Sequence, residues 1–226
     1  SSEIVSLNIE TSQTITLNSG WSMISSNVAI NRSLDNVLQD VESSVFVVKD
    51  DQGDIFWPDW SINSIGNWSN GSGYLVKMNS ESLIQVTGQP LLPEITPINL
   101  NQGWNMMAYL PTLSSTPEVL FDQINDKLII VKDDLGNVYY PDFNLNTIGS
   151  FYPGEGYQLK VTEGFSFNYP KIDEEQRVQS PVQAPLFYRT AQNTGSNMTL
   201  VIPDEAWLTK PKLGDEIVAY DVNNNV

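Results

Sequence analysis

The stretch that decides the fold is LNSGWSM at residues 17–23, because it returns as LNQGWNM at residues 100–106. The two copies are offset by 83 residues, and the same offset maps VKDDQG at 48–53 onto VKDDLG at 131–136. The later motifs Pro-Asp, Asn-x-Ile-Gly and Gly-x-Gly-Tyr follow the same offset. Since the period is longer than the roughly 20 to 50 residues of a solenoid repeat, each copy is predicted to be a whole small module.

The duplication extends without a gap from residues 17–77 to residues 100–160, with about a third of the aligned positions identical. Each copy is predicted to contain one short helix, because apolar residues recur at i, i+3, i+4 and i+7. A hydroxyl residue precedes each stripe, where its oxygen can accept a hydrogen bond from a free amide of the first turn. The residues are Leu34, Val37, Leu38 and Val41 after Ser33, and Pro117, Leu120, Phe121 and Ile124 after Thr116.

The rest of each copy alternates in the period of a β-strand. In Tyr74, Val76 and Met78 the apolar side chains fall on one face and Lys77 falls on the other. Asp-Asp-x-Gly between two strand-like runs predicts a hairpin whose glycine takes a positive φ. The sequence therefore predicts a β-dominant α+β fold of two tandem homologous β-modules, each a small sandwich or an open barrel with one short helix.

Composition shifts divide the chain further. Proline-rich stretches predict two linkers, because proline favours extended backbone and removes amide donors. The segment after the second linker does not repeat the module, and we interpret it as an incomplete third β-domain that further domains or subunits complete. The predicted divisions are a leader at 1–11, module 1 at 12–89, a linker at 90–96, module 2 at 97–170, an acidic, proline-containing linker at 171–185 and the third segment at 186–226.

The bulk composition disfavours several classes of function. Asp and Glu outnumber Lys and Arg by 27 to 11, which gives a net charge of −16, so nucleic acid is not an expected partner. Cysteine and histidine are absent, which removes the commonest nucleophile, metal ligand and general base, so the chain is not expected to be an enzyme. No run approaches the roughly 18 apolar residues of a membrane span. The weakly charged polar surface is typical of secreted β-proteins.

The duplicated set Gly-Trp-x-Met, Val-Lys-Asp-Asp-x-Gly, Pro-Asp, Asn-x-Ile-Gly and Gly-x-Gly-Tyr resembles a repeated extracellular module of large secreted or surface multidomain proteins of marine and gut bacteria and of their phages. The resemblance covers most of the chain. It implies an adhesion, sorting or display element at the cell surface or on a virion. It implies no catalytic residues.

Matched aromatic residues in the two copies are candidates for a platform on which sugar rings stack. The alternative is a shared core, which the drift from Trp to Tyr or Phe favours, because volume is kept while identity is not. Trp21 and Trp104, at the starts of strands, are also expected in the core. The platform candidates are Trp57, Trp60 and Trp68 in the first copy and Tyr140, Phe143 and Phe151 in the second.

The Asp-Asp-x-Gly turns are candidates for a calcium site, since calcium takes six to eight oxygen ligands. They lack the Asp-x-Asp-x-Asp-Gly spacing of a calcium loop, and a hairpin turn explains the same residues without metal. The candidate ligands are Asp50, Asp51 and Asp54 with Asp133 and Asp134; no other cofactor is expected. Lys49 and Asp59, kept as Lys132 and Asp142, are expected to form one internal salt bridge or turn contact twice.

These features together predict a non-catalytic extracellular binding, adhesion or display array within a larger surface or secreted protein, with a protein or glycan ligand. A virion-surface structural protein, such as a phage fibre or decoration subunit, is the alternative. The carbohydrate-binding part of a polysaccharide-active enzyme is the third hypothesis, although no pair of carboxylates is spaced in a way that indicates a glycosidase.

Overall fold

The structure is a computed structural model that describes residues 10–172. The predicted third segment, almost all of the second linker and residues 1–9 of the leader therefore lie outside the described residues. The first strand begins at Thr11, so the last residue assigned to the leader belongs to the first module.

The structure contains two copies of one set of elements, here called the first module (residues 11–88) and the second module (residues 98–169). Both are β-rich with one short α-helix each, as predicted, and each also has two single-turn 3-10 helices. The first module comprises β1 (Thr11–Leu17), β2 (Gly20–Ile24), α1 (Leu34–Leu38), β3 (Val45–Lys49), β4 (Ile55–Trp57), β5 (Ile62–Asn63), β6 (Tyr74–Met78) and β7 (Ser82–Gly88). The second comprises β8 (Ile98–Leu100), β9 (Gly103–Ala108), α2 (Pro117–Phe121), β10 (Leu128–Lys132), β11 (Val138–Tyr140), β12 (Leu145–Asn146), β13 (Gly156–Val161) and β14 (Phe165–Phe167).

Each module has a five-stranded antiparallel sheet and a separate two-stranded ribbon. The sheets run β2-β6-β3-β4-β5 and β9-β13-β10-β11-β12, and the ribbons pair β1 with β7 and β14 with β8. In each module the core lies between the inner face of the sheet and a second layer made of the ribbon and the helix. The modules are thus small two-layer units, closer to the predicted sandwich than to a barrel.

The α-helices begin at the predicted positions but end before the fourth residue of each stripe, so Val41 and Ile124 lie outside them. Leu34, Val37 and Leu38 are buried, as are Pro117, Leu120 and Phe121, so the apolar stripe fixes the face that packs on the core. Ser33 and Thr116 have the extended backbone of an N-cap, but neither side chain bonds to the first turn. The capping hydrogen bond was therefore wrongly predicted: the Ser33 hydroxyl instead accepts from the Asn36 side chain at 2.7 Å.

The predicted hairpins form at both Asp-Asp-x-Gly motifs. Gly53 and Gly136 have φ of +91° and +88°, which non-glycine residues rarely adopt. The first Asp of each motif closes the turn, since Asp50 Oδ1 accepts from the amides of Gln52 and Asp54, both at 2.9 Å. Asp133 does the same in the second module. This is the Asx geometry that makes Asp common in turns.

The predicted linker between the modules is held at its N-terminal end. The amide of Ala29 donates to the carbonyl of Gln89, and the amide of Leu91 donates to the carbonyl of Asn27, so the segment continues the first module. The Leu91 side chain packs against the core of the second module. Within residues 10–172, no helix is long and apolar enough to cross a membrane.

Candidate functional site on the outer sheet faces

The two modules pack against each other through reciprocal contacts. Asp51 Oδ2 accepts from the amide of Met106 at 3.3 Å, and Asp134 Oδ2 accepts from the amide of Met23 at 3.2 Å. Met106 and Asp134 lie 83 residues after Met23 and Asp51, so each contact is the duplicate of the other. Such self-complementary pairing is the arrangement of a twofold dimer, here within one chain.

The Gly-x-Gly-Tyr loops complete this interface. The end of β2 bridges to the loop of the second module at Glu155, and the end of β9 bridges to the loop of the first module at Ser72. A Cβ on Gly73 would lie 2.9 Å from the carbonyl oxygen of Met107, and one on Gly156 would lie 2.8 Å from that of Ile24. Both glycines are therefore required because backbones meet there, and the modules form one body.

The tyrosines of the Gly-x-Gly-Tyr motif hold the loops in place through hydrogen bonds to loop amides. The hydroxyl of Tyr74 accepts from the amide of Ser69 at 2.7 Å, and that of Tyr157 accepts from the amide of Tyr152 at 3.1 Å. Burial raises the pKa of Tyr74 to about 12. The Tyr157 hydroxyl also donates to the carboxylate of Glu155 at 2.5 Å. The whole motif is thus explained by the interface and by the core.

Burial raises the pKa of two carboxyl groups at the second hairpin. For Asp133 the hydrogen bonds of its own turn act against this effect. For Asp134 burial is again the largest cause of the raised pKa, and the hydrogen bond from the amide of Met23 acts to lower it. Among residues 10–172, no group of three or more His, Cys, Asp or Glu side chains is placed to hold a metal ion. The turn and the interface explain the aspartates, and calcium binding at Asp50, Asp51, Asp54, Asp133 and Asp134 stays a prediction.

The outer face of each sheet, opposite the core, carries a tryptophan next to two lysines. Lys49 and Lys77 place Nζ at 5.4 and 5.6 Å from the ring centroid of Trp21. In the second module, Lys132 and Lys160 place Nζ at 5.8 and 5.9 Å from the ring of Trp104. All six residues are identical under the offset of 83. We call these two sets the lysine–tryptophan clusters.

Two predictions about the residues of the clusters are wrong. Trp21 is half-buried and Trp104 is 49% exposed, so neither belongs to the core. The expected salt bridge between Lys49 and Asp59, and its duplicate, is also absent. The salt bridge found between two residues of the range 10–172 joins Lys127 to Glu163. The lysines kept in both copies instead lie over indole rings, where a cation is attracted by the ring electrons.

An aromatic pair lies on the same outer face of each sheet, toward the edge opposite the tryptophan of the cluster. The rings of Trp57 and Trp60 are 5.9 Å apart, and Trp60 is 70% exposed. Phe46, whose ring is 5.0 Å from Lys77 Nζ and 5.6 Å from Trp57, connects this pair to the cluster. The first module therefore presents a continuous strip of rings and ammonium groups across its sheet.

The second module keeps both ends of this strip. Tyr140 and Phe143 form the matching aromatic pair, with ring centroids 4.5 Å apart and Phe143 49% exposed. Ile129 stands where the first module has Phe46, so the aromatic connection between pair and cluster is interrupted. Four of the six predicted platform residues thus form two matching pairs, in which Trp60 and Phe143 are exposed while Trp57 and Tyr140 are half-buried.

The platform prediction is wrong for the other two residues. Trp68 is 5% exposed and Phe151 is fully buried, each packed against the tyrosine of its Gly-x-Gly-Tyr motif with ring centroids 4.6 and 3.7 Å apart. They follow the Asn-x-Ile-Gly turn, which directs them into the core.

Comparison with protein-family models, with curated proteins and with solved structures found no match to this chain.

Proposed function

We propose that the chain is a non-catalytic, bivalent binding module of an extracellular or cell-surface protein, and that it holds a surface glycan on the outer faces of its two sheets. The observation that carries the proposal is the retention of both lysine–tryptophan clusters. About two thirds of the aligned positions differ between the copies, and exposed positions are the ones that packing constrains least. In the clusters Trp104 and Lys49 are exposed and the other four residues are half-buried on the outer faces, so their identity in both copies supports a shared contact with a ligand.

The shape of the site favours a polymer over a small molecule. The strip in the first module follows the outer face of an open five-stranded sheet, whereas small-molecule sites are concave. Exposed rings such as Trp60 and Phe143 are suited to stacking on the apolar face of a sugar. A polymer long enough to reach both strips would make two contacts with one chain, and the second contact would multiply affinity by effective concentration.

A glycan array tests this function. The full chain is expected to bind a subset of glycans, and a variant with Trp60→Ala and Phe143→Ala is expected to lose that binding while it unfolds at the same temperature as the wild type. The matched control is Leu83→Ala, which removes an exposed apolar side chain from a ribbon instead of a sheet face. Binding that survives in the double variant, or no glycan binding at all, would overturn the proposal.

A further inference from the structure

The lysines of the two clusters concentrate positive charge on two surfaces of an acidic chain. The molecule carries a net charge of −16 with 11 Lys and Arg residues, and four of these form the two clusters. None of the four has a carboxylate partner among residues 10–172. Arg32 also has no carboxylate partner among these residues, so what distinguishes the four lysines is that they lie in pairs beside one ring and are kept in both copies.

The positions of the lysines come from the sheet itself. Trp21 on β2 lies directly across from Lys77 on β6, and Trp104 on β9 lies across from Lys160 on β13. Lys49 and Lys132 reach the same rings from the third strand of each sheet. Each cluster thus fixes two ammonium groups beside one ring on rigid strands, which lowers the conformational entropy that binding would cost.

We infer that the glycan is anionic, and that each lysine–tryptophan cluster receives a carboxylate or sulfate group of the polymer while the adjacent exposed rings stack on its sugars. This inference rests on the proposed function. It follows from charge complementarity: two unneutralised cations side by side attract an anion, and the surrounding negative field repels polyanions from the rest of the surface. Binding is therefore confined to the two strips.

The experiment uses two matched pairs of polymers with the full chain, in EDTA so that calcium cannot bridge carboxylates. Dextran sulfate is compared with dextran, and polygalacturonate is compared with its methyl ester, by affinity electrophoresis and calorimetry. We expect binding to at least one charged polymer, weakening as salt rises, and weaker binding to its uncharged counterpart. The charged polymer that binds better identifies sulfate or carboxylate as the group received.

The variants separate a specific site from general attraction to a polyanion. A variant with Lys49→Gln, Lys77→Gln, Lys132→Gln and Lys160→Gln is expected to lose binding. Changing one cluster alone removes bivalency and is expected to weaken apparent affinity by about 100-fold. Arginine at the four positions restores the charge and is expected to restore binding. A control with Lys127→Gln and Lys171→Gln removes two charges elsewhere, and we expect it to bind like the wild type.

Each outcome has one meaning. If charged and uncharged polymers bind equally, or if the four-lysine variant binds like the wild type, the anionic inference is overturned. The proposed function survives that result as long as Trp60→Ala with Phe143→Ala abolishes binding. If the Lys127 and Lys171 control loses as much affinity as one altered cluster, the attraction is general and the inference is also overturned. If no polymer and no arrayed glycan binds, the proposed function falls with it.

Discussion

The carboxylate of Asp51 in the first module accepts a hydrogen bond from the backbone amide of Met106 in the second. Its duplicate, Asp134, returns the same contact to Met23. The two aspartates of the Asp-Asp-x-Gly motif therefore have different tasks. The first closes its own hairpin, and the second joins the modules.

Removing this contact should destabilise the protein. Asp51→Ala and Asp134→Ala each leave an interfacial amide without its acceptor, which costs about 1–3 kcal/mol where the amide is shielded from water. The expected result is a lower free energy of unfolding in urea titrations followed by circular dichroism. Met23 is buried, whereas Met106 is half-buried, so Asp134→Ala is expected to cost more than Asp51→Ala.

The control for this experiment is Asp40→Ala, which removes the same charge from an exposed position outside the interface. It is expected to change the free energy of unfolding by no more than about 0.5 kcal/mol. If all three variants were equally stable, the reciprocal contacts would contribute nothing, and the two modules would be held by the backbone bridges and side-chain packing alone.

The glycines at the centre of the interface allow a second prediction. Gly73→Ala and Gly156→Ala each push a methyl group against a carbonyl of the other module, and overpacking of this kind costs about 1–3 kcal/mol. Differential scanning calorimetry should show a lower unfolding temperature for both variants. Gly164→Ala is the comparison, since its nearest atom lies at 3.3 Å in the same module. A loss no greater than that of Gly164→Ala would contradict the close approach.

Local elements could be predicted from the sequence because their signals are local. The apolar stripe at Leu34, Val37 and Leu38 predicts the first helix, and Gly53 predicts a turn that needs positive φ. Comparison of the two copies strengthened both. Trp21 was misplaced because Met23 and Ile24 are both apolar, so β2 shows no alternation that would indicate which face meets the core.

The packing of one module on the other could not be predicted in the same way. Asp51 and Gly73 are kept in both copies, but a hairpin and a tight loop account for them equally well without any contact between modules. Duplication shows which residues are retained and does not show what they touch. The reciprocal pairing of Asp51 with Met106 becomes visible only in three dimensions.

The pH dependence of stability follows from the second hairpin. Burial raises the pKa of Asp133 and Asp134, so the folded protein binds their protons more tightly than the unfolded chain does. Protonation therefore favours the folded state, and this contribution is lost as pH rises through the raised pKa values. The unfolded groups titrate near pH 4 and the folded groups above that value, so we expect the unfolding temperature to fall as pH rises from about 4 to about 7.5, measured at constant ionic strength by scanning fluorimetry.

Asp134→Asn tests the origin of this dependence. The amide oxygen of asparagine can still accept from Met23, while the titrating group is gone, so the difference in unfolding temperature between the two pH values should shrink. Glu155 and Asp133 carry the other charges facing this position, and both are unchanged in the variant. Asp40→Asn should leave the difference as in the wild type. An unchanged difference in Asp134→Asn would assign the effect to other carboxylates.

Stability measurements can also separate the surface rings from the core rings of the predicted platform. Trp68 is packed on Tyr74 and Phe151 on Tyr157, so Trp68→Ala and Phe151→Ala are each expected to cost about 3–5 kcal/mol through the cavities they leave. Trp60→Ala and Phe143→Ala remove exposed rings and are expected to change the free energy of unfolding by about 0.5 kcal/mol or less. Urea titrations of the four variants provide the comparison. A large loss for Trp60→Ala would mean that this ring supports the fold, and the retention of an aromatic residue at that position would then need no ligand.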